Sequence, residues 1–216
     1  MRILITAGPT REAIDPVRYI TNKSSGKMGY SLAAAAVHEG HKVLLISGPT
    51  SLEIPNGVDY LPVESAEEMY EAVQNQIGRM DAAIMTAAVA DYKPINVPEH
   101  KIKKTGDTLT LTLEKTKDIL VSMRSVFGFE GILIGFAAET NDVESYARGK
   151  LEKKQCDMVV ANDVSRKDIG FDVAENEVIL VYPTHTDHLE KAAKTHIAHE
   201  IIKRLPSLHR QKSNNL

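Results

Sequence analysis

The residues of this chain best equipped for chemistry are cations set beside small, amide-rich turns. Asn22-Lys23-Ser24-Ser25-Gly26-Lys27-Met28-Gly29 opens an alanine-rich segment, and Thr6-Ala7-Gly8-Pro9-Thr10 ends a short apolar stretch upstream. A strand, a glycine-bearing turn and a helix start leave backbone N–H groups unpaired. The positive end of the helix dipole adds to them, so an anion such as phosphate is favoured there. Gly8, Ser24, Ser25, Gly26 and Lys27 are therefore the candidate phosphate-binding residues. The competing reading is structural, with Gly26 and Gly29 as close-packing positions and Lys27 as a solvated side chain.

Other stretches carry complementary chemistry. Met85-Thr86-Ala87-Ala88-Val89-Ala90-Asp91 leaves an apolar run with side chains small enough for a ligand to approach the backbone, and Asp91 can hold a hydroxyl or a metal ion. Lys101-Ile102-Lys103-Lys104, between Pro98 and Gly106, is usually just a solvated basic loop. Beside a phosphate site it becomes a lid that neutralises charge. Lys150 and Lys154 share one helix face. They follow Phe136, which can stack on a base or fill a core. Arg18, in a loop stiffened by Pro16, offers a fork suited to phosphate or carboxylate. His185, His188, His196 and His199 recur along the C-terminal region without the cysteines or carboxylates of a zinc cage, so no metal ligand is assigned. Cys156 is expected to be an unpaired, half-buried thiol.

These groups need a scaffold, and the pattern supplies one. Strands are expected at Ile3–Thr6, Lys42–Ser47, Val58–Val63, Asp81–Ala87, Gly131–Phe136 and Met158–Ala161. Helices are expected at Gly26–Glu39 (capped by Ser24 or Ser25, stopped by Gly40), Ser65–Ile77, Asp118–Val126 and Val143–Gln155. The stretch from Val89 to about Thr105 reads as irregular, Leu109–Leu113 as a half-wet strand, Glu177–Tyr182 as an edge strand and Asp187–Leu205 as a terminal helix. Alternating strands and helices imply an α/β, doubly wound, mainly parallel sheet of Rossmann-like type, with a flexible basic flap and a small β extension. One domain over 1–205 and a disordered tail over 206–216 are expected. In such folds ligands sit beyond the carboxyl ends of the strands, here Thr6–Gly8, Ser47–Pro49, Thr86–Asp91, Phe136–Glu139 and Asn162-Asp163.

Composition removes several classes. With a net charge of −3, nucleic acid is not the expected partner. One cysteine and no apolar run approaching the ~20 residues of a membrane span fit a cytoplasmic protein with no membrane partner. No leader is expected, because the chain enters its first strand at once. Gly8, Gly26 and Gly29 are too far apart for the dinucleotide fingerprint, and Met28 after Gly26-Lys27 breaks the P-loop pattern. No Gly-x-Ser-x-Gly elbow is present.

Seven motifs then stand in order: Ala-Gly-Pro-Thr-Arg-Glu (7–12), Asp-Pro-Val-Arg-Tyr-Ile-Thr-Asn (15–22), Ser-Ser-Gly-Lys-Met-Gly (24–29), Ala-Ala-Val-Ala-Asp-Tyr (87–92), Lys-Ile-Lys-Lys (101–104), Gly-Phe-Ala-Ala-Glu-Thr (135–140) and Ala-Asn-Asp (161–163). Together they resemble the phosphopantothenate–cysteine ligase (phosphopantothenoylcysteine synthetase) family of coenzyme A biosynthesis, from Ile3 to about Tyr182. The resemblance implies that the carboxylate of 4′-phosphopantothenate attacks the α-phosphorus of a nucleoside triphosphate, CTP rather than ATP, with Mg²⁺. Cysteine then displaces the nucleotide to give an amide.

By position, the resemblance makes Asn22 and Arg18 the pair that supports conversion of the acyl-cytidylate, and Lys101 the essential lysine of the flap. Met85, Thr86, Ala87 and Asp91 fall in the nucleotide-binding stretch, Phe136 lies against the base, and Lys150 and Lys154 contact the nucleotide. Asp118 and Ile119 keep a nucleotide loop in which Thr116-Lys117 replaces the family's Asn-Pro. A homodimer with groups crossing its interface is implied. Many bacterial members are fused to a flavin-dependent decarboxylase; here no flavin is expected, and the decarboxylase is expected as a separate protein. Two rival readings are a nicotinamide-dependent oxidoreductase and a non-catalytic nucleotide-binding module.

Overall fold

The structure is a computed structural model and describes residues 1–104, 106–165 and 173–214. In chain order the elements are β1 (Arg2–Ala7), β2 (Arg11–Ala13), β3 (Tyr19–Thr21), α1 (Lys27–His38), β4 (Lys42–Ser47), β5 (Val58–Pro62), α2 (Ala66–Ile77), β6 (Ala82–Met85), β7 (Tyr92–Pro94), β8 (Leu113–Lys115), α3 (Ile119–Ser125), β9 (Ile132–Glu139), α4 (Val143–Lys154), β10 (Met158–Asp163), β11 (Glu175–Val181), β12 (Thr186–Ala193), α5 (Lys194–Ile202) and α6 (Leu205–Asn214).

Eight strands form one sheet in the order β12-β11-β10-β9-β6-β1-β4-β5. The six from β10 to β5 are parallel, and β11 and β12 extend the sheet antiparallel. Side chains alternate across the pleat, as a sheet covered on both faces requires. Ile3, Ile5 and Ala7 of β1 enter a core under α1, α5 and α6, whereas Leu4 enters a second core under α2, α3 and α4. From β1 the chain winds outward through β4 and β5, then returns to β6 on the other side. The strand order therefore reverses between β1 and β6, and the crevice beyond their carboxyl ends is where such a sheet accepts ligands.

Local chemistry sets the helix ends. Ser65 Oγ accepts from Glu68 N at 3.2 Å at the start of α2, and Glu68 Oε2 accepts from Glu64 N at 2.7 Å. Gly40, at φ 79°, ends α1 in the left-handed region that favours glycine. The start of α1 differs from expectation: Gly26, at φ 79°, is the capping residue in place of Ser24 or Ser25.

The C-terminal third departs most from the sequence pattern. Asp187–Leu205 is not one helix; its first part is β12, paired with β11, and α5 starts only at Lys194. Glu177–Tyr182 is accordingly not an edge strand, because β12 covers it. The alanines and charges of this stretch favour a helix locally, but β11 offers a row of backbone partners, and Leu189 and Ala192 pack against the core. The tail expected from residue 206 is helix α6, held by buried Leu205 and Leu208. Lys212 Nζ donates to Gly131 O at 2.9 Å and to the Asp157 carboxylate at 3.1 Å.

The small β extension is two ribbons, β2–β3 and β7–β8. Of the expected strand Leu109–Leu113, only Leu113 is in a strand, because the ribbon supplies a partner only for Leu113–Lys115 and Leu109 is exposed. Thr105, at the end of the stretch read as irregular, lies outside the described residues.

Candidate active site

Two adjoining hollows open at the carboxyl ends of β1 and β6. The first, of about 530 Å³, is lined among others by Met85, Asp91, Asp118, Ile119, Phe136, Lys150 and Lys154. The second, of about 380 Å³, is lined among others by Asn22, the Ser24–Gly29 turn, Thr86, Ala88 and Lys194. Ala87, Val89, Asp91, Phe136 and Lys150 belong to both, so the hollows form one cleft with a lysine at the common wall.

The floor is stitched by short polar side chains. Thr86 Oγ1 donates to Thr6 O at 2.5 Å, Ala90 N to Thr10 Oγ1 at 2.9 Å and Ala88 N to Gly8 O at 2.9 Å. The loops after β1 and β6 are thereby fixed to each other. Small residues are required where α1 meets them. A Cβ on Gly29 would lie 2.5 Å from Ala7 Cβ and 2.6 Å from Thr86 Oγ1; one on Gly26 would lie 2.8 Å from Thr50 Cγ2. The packing role and the anion-binding role of these glycines are thus compatible: close approach brings the N-terminus of α1 to the rim of the cleft. Gly8 packs beneath Gly26, 3.3 Å from where a Cβ would be, and does not line either hollow.

The charges are individually held. Lys150 Nζ donates to Phe136 O at 2.6 Å, and burial pulls its ammonium below the ordinary lysine value. Lys154 pairs with Asp118, whose Oδ1 also accepts from Val121 N at 3.0 Å to cap α3. Burial alone would raise the Asp118 carboxyl, but the Lys154 and Val121 hydrogen bonds bring it below the ordinary value. Thr116 donates from Oγ1 to Ala90 O at 2.6 Å and from N to Asp91 O at 3.0 Å. The residue standing in place of the family asparagine therefore ties its loop to the cleft. Neighbouring Lys117 reaches away to Glu67 at 2.5 Å.

Asn22 Nδ2 donates to Ala88 O at 2.9 Å, which brings the side chain to the wall of the second hollow. Arg18 and Lys101 line neither hollow. Arg18 pairs with Asp15, whose side chain has no exposed surface, and donates from Nη2 to Ile102 O at 3.1 Å. Asp15 also accepts from Ile102 N at 3.1 Å. The Arg18 bonds outweigh the effect of burial and hold the Asp15 carboxyl well below the usual carboxylate range. This clasp fastens the lysine loop to the β2–β3 ribbon rather than to the cleft of the same chain.

Several lining residues escaped the sequence reading. Asn176 and Lys194 line the second hollow, yet Asn176 lies just before the expected edge strand Glu177–Tyr182 and Lys194 lies inside the expected C-terminal helix, and neither was given a role. Asn162, which also lines this hollow, stands at an expected strand end and in the seventh motif but was given no role. Buried Glu12, inside the first family motif, is structural: its Oε1 accepts from Ala66 N at 2.8 Å and caps α2.

For a divalent cation in the cleft, Asp91 is the fitting ligand. It is exposed to both hollows and its carboxylate has no partner among the described residues, whereas Asp118 is committed to Lys154. Mg²⁺ held by one or two carboxylates together with substrate phosphates suits this donor set. The expected C-terminal histidines divide between a turn, β12 and α5. Only His199 joins a possible ligand cluster, with His38 and Glu39, on the outer side of α1 and α5. Cys156 is buried more completely than expected, which pushes its thiol up to about 12 and leaves it unreactive.

Residues 1–208 match the DFP family, described as DNA/pantothenate metabolism flavoprotein C-terminal domain. The chain is 51% identical over 208 residues, 95% of its length, to the coenzyme A biosynthesis bifunctional protein CoaBC of Vibrio vulnificus strain YJ016. It is 48% identical over 211 residues, 97% of its length, to the protein of the same name from Bacillus subtilis strain 168. Each match takes in 52% of the relative, so the chain spans about half the length of these curated relatives. The crystal structure of the C-terminal domain of CoaBC superposes with a TM-score of 0.82 at 43% identity, covering 97% of this chain and 96% of that one. The DNA/pantothenate metabolism flavoprotein from Streptococcus pneumoniae superposes equally well, at 0.82 and 26% identity, covering 96% of this chain and 99% of that one.

Proposed function

The chain belongs to the DFP family, and from that premise we propose that it is a phosphopantothenate–cysteine ligase acting in the cytoplasm in coenzyme A biosynthesis. The observation that carries this reading is the cleft itself: one continuous hollow whose walls bring Asn22, Asp91, Phe136, Lys150 and Lys154 together. The bifunctional relatives, named for coenzyme A biosynthesis, support the same reading.

CTP occupies the first hollow. Phe136 lies against the base, the backbone of Met85, Thr86 and Ala87 and the Asp118-Ile119 loop flank the nucleotide, and Lys150 and Lys154 meet the phosphates. Asp91 would hold a Mg²⁺ ion, which would supply charge neutralisation at the phosphates. 4′-Phosphopantothenate enters the second hollow with its phosphate at Ser24, Ser25, Gly26 and Lys27, where the dipole of α1 favours an anion. Its carboxylate then faces the common wall at Lys150. Oxygen attacks the α-phosphorus and pyrophosphate leaves. The cysteine amine next attacks the acyl carbon, loses its proton and expels CMP. The first step brings two anions together and the second builds negative charge on the acyl oxygen and the leaving phosphate, so positioned cations and amide dipoles are the main catalytic resource.

Arg18 and Lys101 belong to the flap side of this mechanism, and a second copy of the chain is the route by which they reach a cleft. Among the described residues, seven of the ten exposed large hydrophobics, Val17, Tyr19, Tyr92, Ile95, Val97, Leu109 and Leu113, lie on the two ribbons and their connections. A patch of that kind fits a homodimer interface. A phosphopantothenoylcysteine decarboxylase is the pathway partner in this reading. The test is turnover: phosphopantothenate, cysteine and Mg²⁺ are mixed with CTP or with ATP, and pyrophosphate and the new thiol product are followed. CTP is expected to support both at the higher rate. Absence of product with either nucleotide removes the reading; faster turnover with ATP overturns the choice of base.

A further inference from the structure

Asn176 is 4% exposed and lines the second hollow, yet its Oδ1 has no hydrogen-bond partner among the described residues. A buried acceptor left unpaired is costly, so a ligand that brings a donor to it is favoured. Lys194, 5% exposed, lines the same hollow and is the first residue of α5. It also shares a shallow neighbouring hollow with Lys27, the first residue of α1. The topology explains this convergence. Helix α1 leaves the carboxyl end of β1, and α5 leaves β12, the antiparallel neighbour of the strand that starts at Asn176's end of the sheet. The N-termini of α1 and α5, capped by Gly26 and Ala193, therefore open at the same rim. Two dipoles and two lysines favour an anion there. The orphaned carboxamide oxygen adds a demand for a donor beside that anion.

We propose that the N-termini of α1 and α5, with Lys194 and Asn176, form the subsite that recognises the phosphate end of the acid substrate. Lys194 meets the phosphate and Asn176 Oδ1 accepts from the hydroxyl next to it. This rests on the ligase reading and extends it: a second helix and two residues no motif marks become the determinants that separate phosphopantothenate from pantothenate.

The test compares the two acids as substrates for the wild type, Lys194→Met, Lys194→Arg and Asn176→Ala. Lys194→Met is expected to raise KM for phosphopantothenate about tenfold or more, the worth of a charge-assisted hydrogen bond. KM for CTP and cysteine should stay within about twofold, and Lys194→Arg should recover much of the loss. With pantothenate, which lacks the phosphate, Lys194→Met and the wild type should behave alike, while Asn176→Ala should weaken both acids. Equal losses with both acids for Lys194→Met, or an unchanged KM for phosphopantothenate, overturn the subsite. If the wild type turns nothing over, the ligase reading falls, and broadening of the ³¹P resonance of inorganic phosphate still decides. Broadening by the wild type that is lost in Lys194→Met supports the subsite; broadening absent from the wild type or undiminished in the variant overturns it.

Discussion

At the scale of single residues, the cleft divides between groups that hold charge and one that steers a reactive centre. In the proposed mechanism Asn22, oriented by Ala88 O at 2.9 Å, is the steering group. Asn22→Ala is expected to release pyrophosphate normally and to accumulate the acyl-nucleotidylate, seen by rapid-quench mass spectrometry; normal product with no intermediate contradicts that role. Lys150 carries a pH signature. Burial lowers its ammonium below the ordinary value of 10.5, and a bound triphosphate prefers the charged form. Nucleotide affinity should therefore be fullest at neutral pH and fall as pH rises through that lowered value, earlier than for a solvated lysine. Titration calorimetry across the alkaline range checks this, and Lys150→Arg, which stays charged, should flatten the fall. An alkaline loss identical in both proteins refutes the assignment. Most of these residues were legible in the sequence, since Asp91 and Asn22 stand in motifs and Lys150 and Lys154 share one face of the helix that follows the Phe136 strand end. Asn176 and Lys194 were not, because their meaning depends on which elements meet over the rim, and nothing local records that.

At the scale of elements, the closeness of α1 to β1 and β6 sets the site. Gly29→Ala puts a methyl 2.5 Å from Ala7 Cβ, so helix or strand must shift. A loss of about 1–3 kcal/mol in chemical denaturation is expected, with a raised KM for phosphopantothenate because the anion-facing turn moves with the helix. An unchanged midpoint and KM would show that the helix has room to spare. The buried parallel strands were readable because apolar runs such as Val43-Leu44-Leu45-Ile46 need no knowledge of their neighbours. Strand β12 was misread because Lys191-Ala192-Ala193-Lys194 favours a helix locally, and only pairing with β11 decides otherwise. Helix α6 was missed for a similar reason: Leu208 looks isolated in sequence, and its burial depends on the α1 and α5 side of the sheet.

At the scale of the whole molecule, the clasp residues Asp15, Arg18 and Ile102 line neither hollow of the cleft. Asp15 and Arg18 pin the lysine loop to ribbons that carry exposed apolar residues. Sedimentation velocity is expected to give a dimer, and Ile95→Asp with Val97→Asp, which line neither hollow, to give monomers of much reduced activity; a fully active monomer contradicts the view that flap residues cross between copies. The fold class was plain from alternating strands and helices, whereas the ribbons hid in stretches read as loops, because three-residue strands carry too little pattern to be seen. The central claim is that the cleft activates one anion on another. Its most direct measurement omits cysteine: enzyme, phosphopantothenate, CTP and Mg²⁺ are mixed and quenched. Pyrophosphate stoichiometric with active sites, together with a species of the acyl-cytidylate mass, is the predicted result. No pyrophosphate, or pyrophosphate formed equally without phosphopantothenate, would contradict it.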